Sequence, residues 1–291
     1  KNNSQFADKS VSDFLKSKIG NSADINLWLV GALRSAGLDA DPVVLSTRSH
    51  GRIQTDYPFS RAFNFVVAMA EIDGKFIFGD ATDVNCQIAR LPIQCITQKG
   101  LIVNKEKLNW IGMATPVNSG LVTTITIDSI NEEQNISVLL SSTEYEALKF
   151  RNTYSNKTED LVQYLLKKNY QVEENSLVLK SPVDRNRPYS FAFKAKAKTE
   201  IINGKLYIDP FLNEISETNP LKQKTRTYPV DLTYPVTRLY KSQIVVPEGY
   251  KVEFLPSPSS LNDDLFELEY SATETEGTVN INFKYSFRKA I

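Results

Sequence analysis

Nucleophilic chemistry in this 291-residue sequence could use three side chains, Ser22, His50 and Asp80. His50 is the only histidine, and histidine is the most frequent general base in enzymes. A serine hydroxyl becomes a useful nucleophile beside such a base, which a carboxylate can orient. The sequence therefore allows an amidase or acyltransferase that uses Ser22, His50 and Asp80, and it excludes a metal site with two histidine ligands.

Three arginines, Arg48, Arg52 and Arg61, lie in or just after a polar loop that spans residues 46–60 and also contains His50. A guanidinium group can hold a carboxylate or a phosphate through two parallel hydrogen bonds. The arginines are therefore candidate ligand contacts. The alternative, that they are solvated loop residues, stays open on the sequence alone.

The elements around these residues follow from hydrophobic periodicity. Apolar residues recur at helical spacing from Ile25 onward, which predicts a helix from Ser22 to Ala36 with Gly37 as its stop. A strand is predicted at 42–45. Ser22 would then stand at the N-terminus of the helix.

A β-hairpin is predicted from residues 63–72 and 75–81, because Asp73 and Gly74 between them form a typical two-residue turn. Continuing the register of that turn places Phe65 opposite Thr82. Phe65 and Asp80 would then be diagonal neighbours on one face of the hairpin.

These segments resemble the core of the transglutaminase-like superfamily of papain-like cysteine enzymes. The resemblance rests on residues 20–40 (GNSADINLWLVGALRSAGLDA), 63–67 (FNFVV) and 78–82 (FGDAT) and covers about the first 105 residues. In that superfamily a cysteine opens the helix, and the following strands bring a histidine and an aspartate. The positive end of the helix dipole favours the thiolate, which pairs with the imidazole.

Carried over to this sequence, the resemblance implies a degenerate triad. The cysteine position is Ser22, the histidine position is Phe65 and the aspartate position is Asp80. Phenylalanine cannot accept a proton, so only the orienting carboxylate survives. The resemblance therefore predicts a pseudoenzyme with no catalytic residues, in which His50 alone could rescue catalysis.

Residues 109–291 predict a second, β-rich domain after a core domain at 1–108. Many short strand candidates, including 251–254, alternate with prolines, which is typical of a β-sandwich, and two helices are predicted near 143–168. The expected fold class is α+β: a truncated transglutaminase-like core with a helix on an antiparallel sheet, then a β-sandwich-like domain with inserted helices. Aromatic stretches at 207–211 and 228–240 are interpreted as core, or alternatively as stacking platforms for sugars.

The same layout resembles bacterial proteins of unknown function in which a transglutaminase-like core is followed by a β-rich domain, here carried by residues 249–256 (GYKVEFLP). This resemblance implies export to the periplasm or cell envelope. It also implies that the chain is the C-terminal part of a longer precursor, since no signal peptide opens the sequence.

Composition restricts the partners. Lys plus Arg and Asp plus Glu number 34 each, which argues against nucleic-acid binding, and no apolar run approaches the roughly 20 residues of a membrane span. The two cysteines, Cys86 and Cys95, fit no metal-ligand spacing and are interpreted as buried thiols, with a disulfide as the alternative.

The sequence thus favours a protein that does not catalyse a reaction and needs no cofactor or metal. We expect a binding or scaffolding component of the cell envelope that recognises a peptide, a glycan or another protein. Two alternatives stay open: the amidase or acyltransferase described above, and a carbohydrate-binding envelope protein that acts through its β domain.

Overall fold

A computed structural model describes residues 2–288 except for gaps at 105, 107, 115–116, 131–132, 155–156, 169, 182, 216–221, 223–224, 226 and 228–229. The chain forms two compact units, residues 1–116 and 117–291, whereas the sequence places the boundary between 108 and 109. Within the described ranges, no helix has the length and apolar character needed to cross a membrane.

The first unit combines two helices with a five-stranded sheet. Its elements are α1 (Val11–Ser17), α2 (Ser22–Ser35), β1 (Asp39–Leu45), β2 (Phe65–Ile72), β3 (Lys75–Gly79), β4 (Lys99–Val103) and β5 (Leu108–Gly112). The strand order is β3-β2-β1-β4-β5, and every neighbouring pair is antiparallel. α2 packs on β1 and β2. The predicted elements α2, β1, β2 and β3 are all present.

Local signals at both ends of α2 explain its bounds. The side chain of Asn21 accepts a hydrogen bond from the backbone N–H of Asp24, and the Asp24 side chain accepts one from the backbone of Asn21, which forms a capping box. At the other end Gly37 has φ +84°, and the N–H of Leu38 donates to the carbonyl of Leu33. This is the Schellman ending that favours glycine.

The hairpin between β2 and β3 has the predicted turn. Asp73 and Gly74 both have positive φ, 52° and 72°, as a mirror-image two-residue turn requires. The predicted register is confirmed from Ile72, which pairs with Lys75, to Ala68, which pairs with Gly79. The predicted pairing of Phe65 with Thr82 is not formed, because β3 ends at Gly79. Asp80 therefore lies just beyond the paired strands and can turn towards α2.

The second unit is a large curled sheet with two helices. Its elements are β6 (Ser119–Ile130), β7 (Glu133–Ser142), α3 (Glu144–Tyr154), α4 (Thr158–Lys167), β8 (Gln171–Val172), β9 (Val178–Lys180), β10 (Tyr189–Lys198), β11 (Glu200–Ile202), β12 (Lys205–Tyr207), β13 (Val236–Val245), β14 (Ser259–Asn262), β15 (Phe266–Thr275) and β16 (Thr278–Phe287). Eight strands follow the order β14-β15-β16-β13-β6-β7-β10-β8, and β9 also pairs with β10. β13 and β6 are parallel, whereas the other pairs are antiparallel.

The helices predicted near 143–168 are confirmed, and they cover one face of this sheet. Ala147 of α3 and Leu161 of α4 belong to the same buried cluster as Ile125, Val138 and Phe191 of the strands. The α+β class is therefore confirmed. The strands form one continuous nine-stranded sheet, plus the separate β11–β12 pair, in place of the two facing sheets of a sandwich.

Two further expectations concern residues 207–254. The strand predicted at 251–254 is not formed, and that prediction was wrong. Of the aromatic stretches, Phe211, Tyr234 and Tyr240 are buried, as the core interpretation predicts, whereas Tyr207 is exposed. Tyr228 lies outside the described residues.

Candidate functional site

The hydroxyl group of Ser22 is fully occupied by the start of the chain. Ser22 is the first residue of α2 and is 4% exposed. Its Oγ donates a hydrogen bond to the carbonyl of Ser4 and accepts one from the N–H of Ser4, each at 2.8 Å. The N–H of Ser22 donates to the carbonyl of Asn2 at 3.1 Å. The hydroxyl of Ser22, the predicted nucleophile position, is therefore bound to main-chain groups.

The same segment is held at further points along the start of α2. The Asn21 side chain donates to the carbonyl of Phe6, and one carboxylate oxygen of Asp24 accepts the N–H groups of both Asp8 and Lys9. A helix N-terminus has unpaired N–H groups and partial positive charge, which oxygen acceptors stabilise. Here the carbonyl of Asn2 and the side chain of Asn21 are such acceptors, for the N–H groups of Ser22 and Asp24.

Asn26 is the centre of the polar contacts next to Ser22. It follows Ser22 by one helical turn and is fully buried. Its Nδ2 donates to the carbonyl of Val66 at 2.7 Å and to Oδ1 of Asp80 at 2.6 Å. Its Oδ1 accepts the N–H of Ala81 at 2.9 Å. Asn26 thus joins α2 to β2 and to the chain that follows β3.

Asp80 is bound on both carboxylate oxygens. Its second oxygen accepts the N–H of Thr82 at 3.2 Å and the hydroxyl of Thr82 at 2.8 Å. Burial raises the pKa of Asp80 above its ordinary value, and the hydrogen bonds from Asn26 and Thr82 oppose that rise. The group that Asp80 orients in this structure is the side-chain amide of Asn26.

Phe65, which the resemblance assigns to the histidine position, is a core residue. It begins β2, pairs with Leu45 of β1 and is 1% exposed. A buried phenyl ring offers no lone pair to a hydroxyl group. Phe65 can therefore contribute packing and no proton transfer.

His50 contacts neither Ser22 nor Asp80 by a hydrogen bond. Its Nε2 lies 3.0 Å from the carbonyl oxygen of Arg61, and the side chain is exposed. Because a general base must reach the proton it removes, this arrangement gives Ser22 no base.

The three candidate arginines differ in their surroundings. The guanidinium of Arg48 donates to the carbonyl of Ile96 at 3.1 Å, which ties the loop to the segment before β4. All three arginines are exposed, and Arg61 also contributes its carbonyl to His50. Their role as ligand contacts stays a prediction.

The two cysteines are free thiols in the first unit. Burial, together with the negative charges of Asp80 and Asp83, raises the pKa of Cys86 to about 12. Burial also raises the pKa of Cys95. Because the thiolate is the reactive form, both groups are poor nucleophiles at neutral pH. Across the residues that the structure describes, no three His, Cys, Asp or Glu side chains are placed to hold a metal ion.

Sequence reasoning missed two residues that organise this site, Ser4 and Asn26. Asn26 carried a signal, since it is a polar residue one turn from Ser22 on a helix otherwise assigned an apolar inner face. Ser4 carried none, because its contacts with Ser22 are made by its main chain.

A second buried polar cluster lies in the second unit around Glu146 of α3, which is 5% exposed. Its carboxylate accepts the hydroxyl of Tyr234 at 2.9 Å and pairs with Lys149 at 3.1 Å and Arg238 at 3.5 Å. Burial, followed by the charge of Glu146, raises the pKa of Tyr234. The cluster fixes α3 to β13 and to the segment before it.

Comparison with known proteins finds a family model that matches the C-terminal part of the chain. Residues 204–291 match the family described as a Domain of Unknown Function with solved-structure structure (DUF3858). A crystal structure from Parabacteroides distasonis ATCC 8503, provisionally described as a protease, is weakly similar, with a TM-score of 0.46 and 11% sequence identity. That similarity covers 97% of this chain and 40% of the other, so this chain spans about two fifths of that protein's length. No curated protein matches the chain in sequence.

Proposed function

We propose that the first unit is a catalytically inactive transglutaminase-like core and that the protein acts by binding or scaffolding. The observation that carries this proposal is the state of Ser22. Its hydroxyl donates to one main-chain group of Ser4 and accepts from another, inside a buried site. A nucleophile in that state would have to break both bonds before it could attack a substrate.

The other triad positions support the same proposal. Serine needs a base for activation, and the neighbouring strand supplies Phe65. Both carboxylate oxygens of Asp80 already accept hydrogen bonds, one from Asn26 and the other from Thr82. Of the three positions, Asp80 links the chain after β3 to α2 through Asn26, whereas Ser22 binds residues 2 and 4 and Phe65 is buried in the sheet.

The place of action that we propose is the bacterial periplasm or cell envelope, with a peptide, a glycan or another protein as the partner. Support for this location comes from the resemblance of residues 249–256 to exported proteins of unknown function.

The test compares Ser22→Ala with Ser35→Ala, an exposed serine at the other end of α2 whose hydroxyl donates to the carbonyl of Gly31. Amine incorporation into glutamine peptides and hydrolysis of peptide amides are measured for the unmutated chain and both variants. We expect all three to remain at the rate of the buffer alone. Turnover by the unmutated chain would overturn the proposal, and its selective loss in Ser22→Ala would identify Ser22 as the nucleophile after all.

A further inference from the structure

A groove of about 600 Å³ opens on the sheet of the second unit, along strands β13 to β16. Ligand sites of this size are common in proteins, although most are lined by apolar residues. Here polar side chains, among them Lys241, Ser260, Glu269, Ser271, Asn282 and Lys284, lie beside Leu239, Pro258 and Tyr270, and the exposed lining is more apolar than polar. Hydrogen-bonding groups beside apolar surface fit a sugar, which presents both hydroxyl groups and C–H faces.

Strand register arranges these six side chains in two rows. Ser260, Glu269 and Lys284 face one another across β14, β15 and β16. Two residues further along the strands, Ser271, Asn282 and Lys241 do the same across β15, β16 and β13. With strands about 4.8 Å apart, each row spans about 10 Å, and the rows lie about 7 Å apart. The groove therefore presents a rigid grid of hydroxyl, amide, ammonium and carboxylate groups.

The two lysines of this grid differ in whether their charge is paired. Lys284 pairs with Glu267 at 2.8 Å and with Glu269 at 3.5 Å, so its charge is compensated within the protein. Lys241 is exposed and forms no ion pair with any residue that the structure describes. The groove thus offers one free cation beside several neutral hydrogen-bonding groups, a combination that suits a ligand with a carboxylate among many hydroxyl groups.

The backbone of the groove floor argues against a peptide strand as the ligand. β15 and β16 each pair with a strand on both sides, so their N–H and C=O groups are already used. Peptides that add to a sheet need a free edge, which on this side of the sheet is the four-residue β14 and not the floor formed by β15 and β16. Recognition on this floor must come from side chains, as it does for polyhydroxylated ligands.

We propose that this groove binds an acidic oligosaccharide, with Lys241 on a sugar carboxylate and with Asn282, Ser271 and Ser260 on hydroxyl groups. The proposal gives the binding function a ligand class. It does not require the first unit to be inactive, because the groove lies wholly within the second unit.

Calorimetric titration of the full chain tests the proposal. The probes are trimers of galacturonate, glucuronate, mannuronate and guluronate, the same trimers as full methyl esters, and triglutamate as an acidic peptide. We expect at least one acidic trimer to bind with a Kd below about 1 mM and its ester to bind at least about tenfold more weakly. Lys241→Gln should weaken binding of the acid by about tenfold and leave that of the ester unchanged.

The matched control is Lys251→Gln, which removes the same charge from an exposed position outside the groove and should bind like the unmutated chain. Ser22→Ala should also bind normally, so that failure here is separate from failure of the proposed inactivity. Absence of binding by all the acidic trimers, equal binding by Lys241→Gln, or tighter binding of triglutamate would each overturn the proposal.

Discussion

The start of α2 in the first unit and the groove in the second unit are both rich in polar side chains, but these side chains differ in burial and in hydrogen bonding. Around Asn26 each polar atom meets another protein atom, and the residue is fully buried. In the groove, Lys241 and Asn282 are exposed and have no side-chain partner among the described residues. The residue types are similar, so the difference lies in what surrounds them. Polar groups that are hydrogen-bonded to other protein atoms stabilise the fold, whereas exposed polar groups without a protein partner are available to a ligand.

The strongest test of this difference is the same substitution, asparagine to leucine, at the start of α2 and in the groove. Asn26→Leu leaves the carbonyl of Val66, the N–H of Ala81 and the carboxylate of Asp80 without their partner, and we expect a loss of about 3–5 kcal/mol in the free energy of unfolding. Asn282→Leu removes an exposed amide and should change that value by no more than about 0.5 kcal/mol. Urea denaturation measures both, and equal losses would refute the distinction.

Tyr234 allows the same test in the second unit, where it belongs to the buried polar cluster around Glu146. Tyr234→Phe removes the hydroxyl that donates to the buried Glu146, and hydrogen bonds to charged groups contribute about 1.5–3 kcal/mol. We expect a loss of about 2 kcal/mol in stability. Tyr207→Phe, at a tyrosine that is 51% exposed, is the control and should be nearly neutral. A neutral Tyr234→Phe would show that Lys149 and Arg238 suffice for Glu146.

The smallest expected effect is a difference in pH dependence between Asp80 and Asp263. Burial raises the pKa of Asp80, so its folded state holds the proton more tightly than the unfolded state does. Relative to Asp80→Asn, the unmutated chain should therefore lose stability as pH rises above about 4. The N–H groups of Leu265 and Phe266 lower the pKa of the exposed Asp263. Relative to Asp263→Asn, stability should fall as pH drops below about 4.

Urea denaturation between pH 3 and pH 7 measures both dependences on the same chain. Slopes of opposite sign are the expected result. A stability difference for Asp80 that rises with pH would mean that its hydrogen bonds outweigh its burial.

The part of the fold that the sequence predicts is the part governed by neighbours in the chain. The Asp73–Gly74 turn and the Gly37 stop each act within a few residues, and both are confirmed. The inner face of α2 was predicted less well, because Asn26 is fully buried there while Trp28 is 39% exposed. A hydrophobic pattern cannot identify a polar residue that is buried with all its partners.

The groove was beyond sequence reasoning for a different reason. Its two rows depend on the register between β13 and β16, which joins residues far apart in the sequence, such as Lys241 and Asn282. The triad positions Ser22, Phe65 and Asp80 could be named from a resemblance to known enzymes. The contact between Ser4 and the Ser22 hydroxyl could not be predicted, because Ser4 makes it with main-chain groups that every residue type has.

The parallel pairing of β13 with β6 bears on how the second unit can be assembled. Val236 pairs with Ser119, more than a hundred residues earlier, so this ladder closes only after the intervening chain has been made. The family match begins at residue 204 and leaves β6 outside it. A fragment that starts there would expose the edge of β13 and invite association between copies. During synthesis the exposed edge is that of β6, because β6 is made first and has no partner on that side until β13 leaves the ribosome.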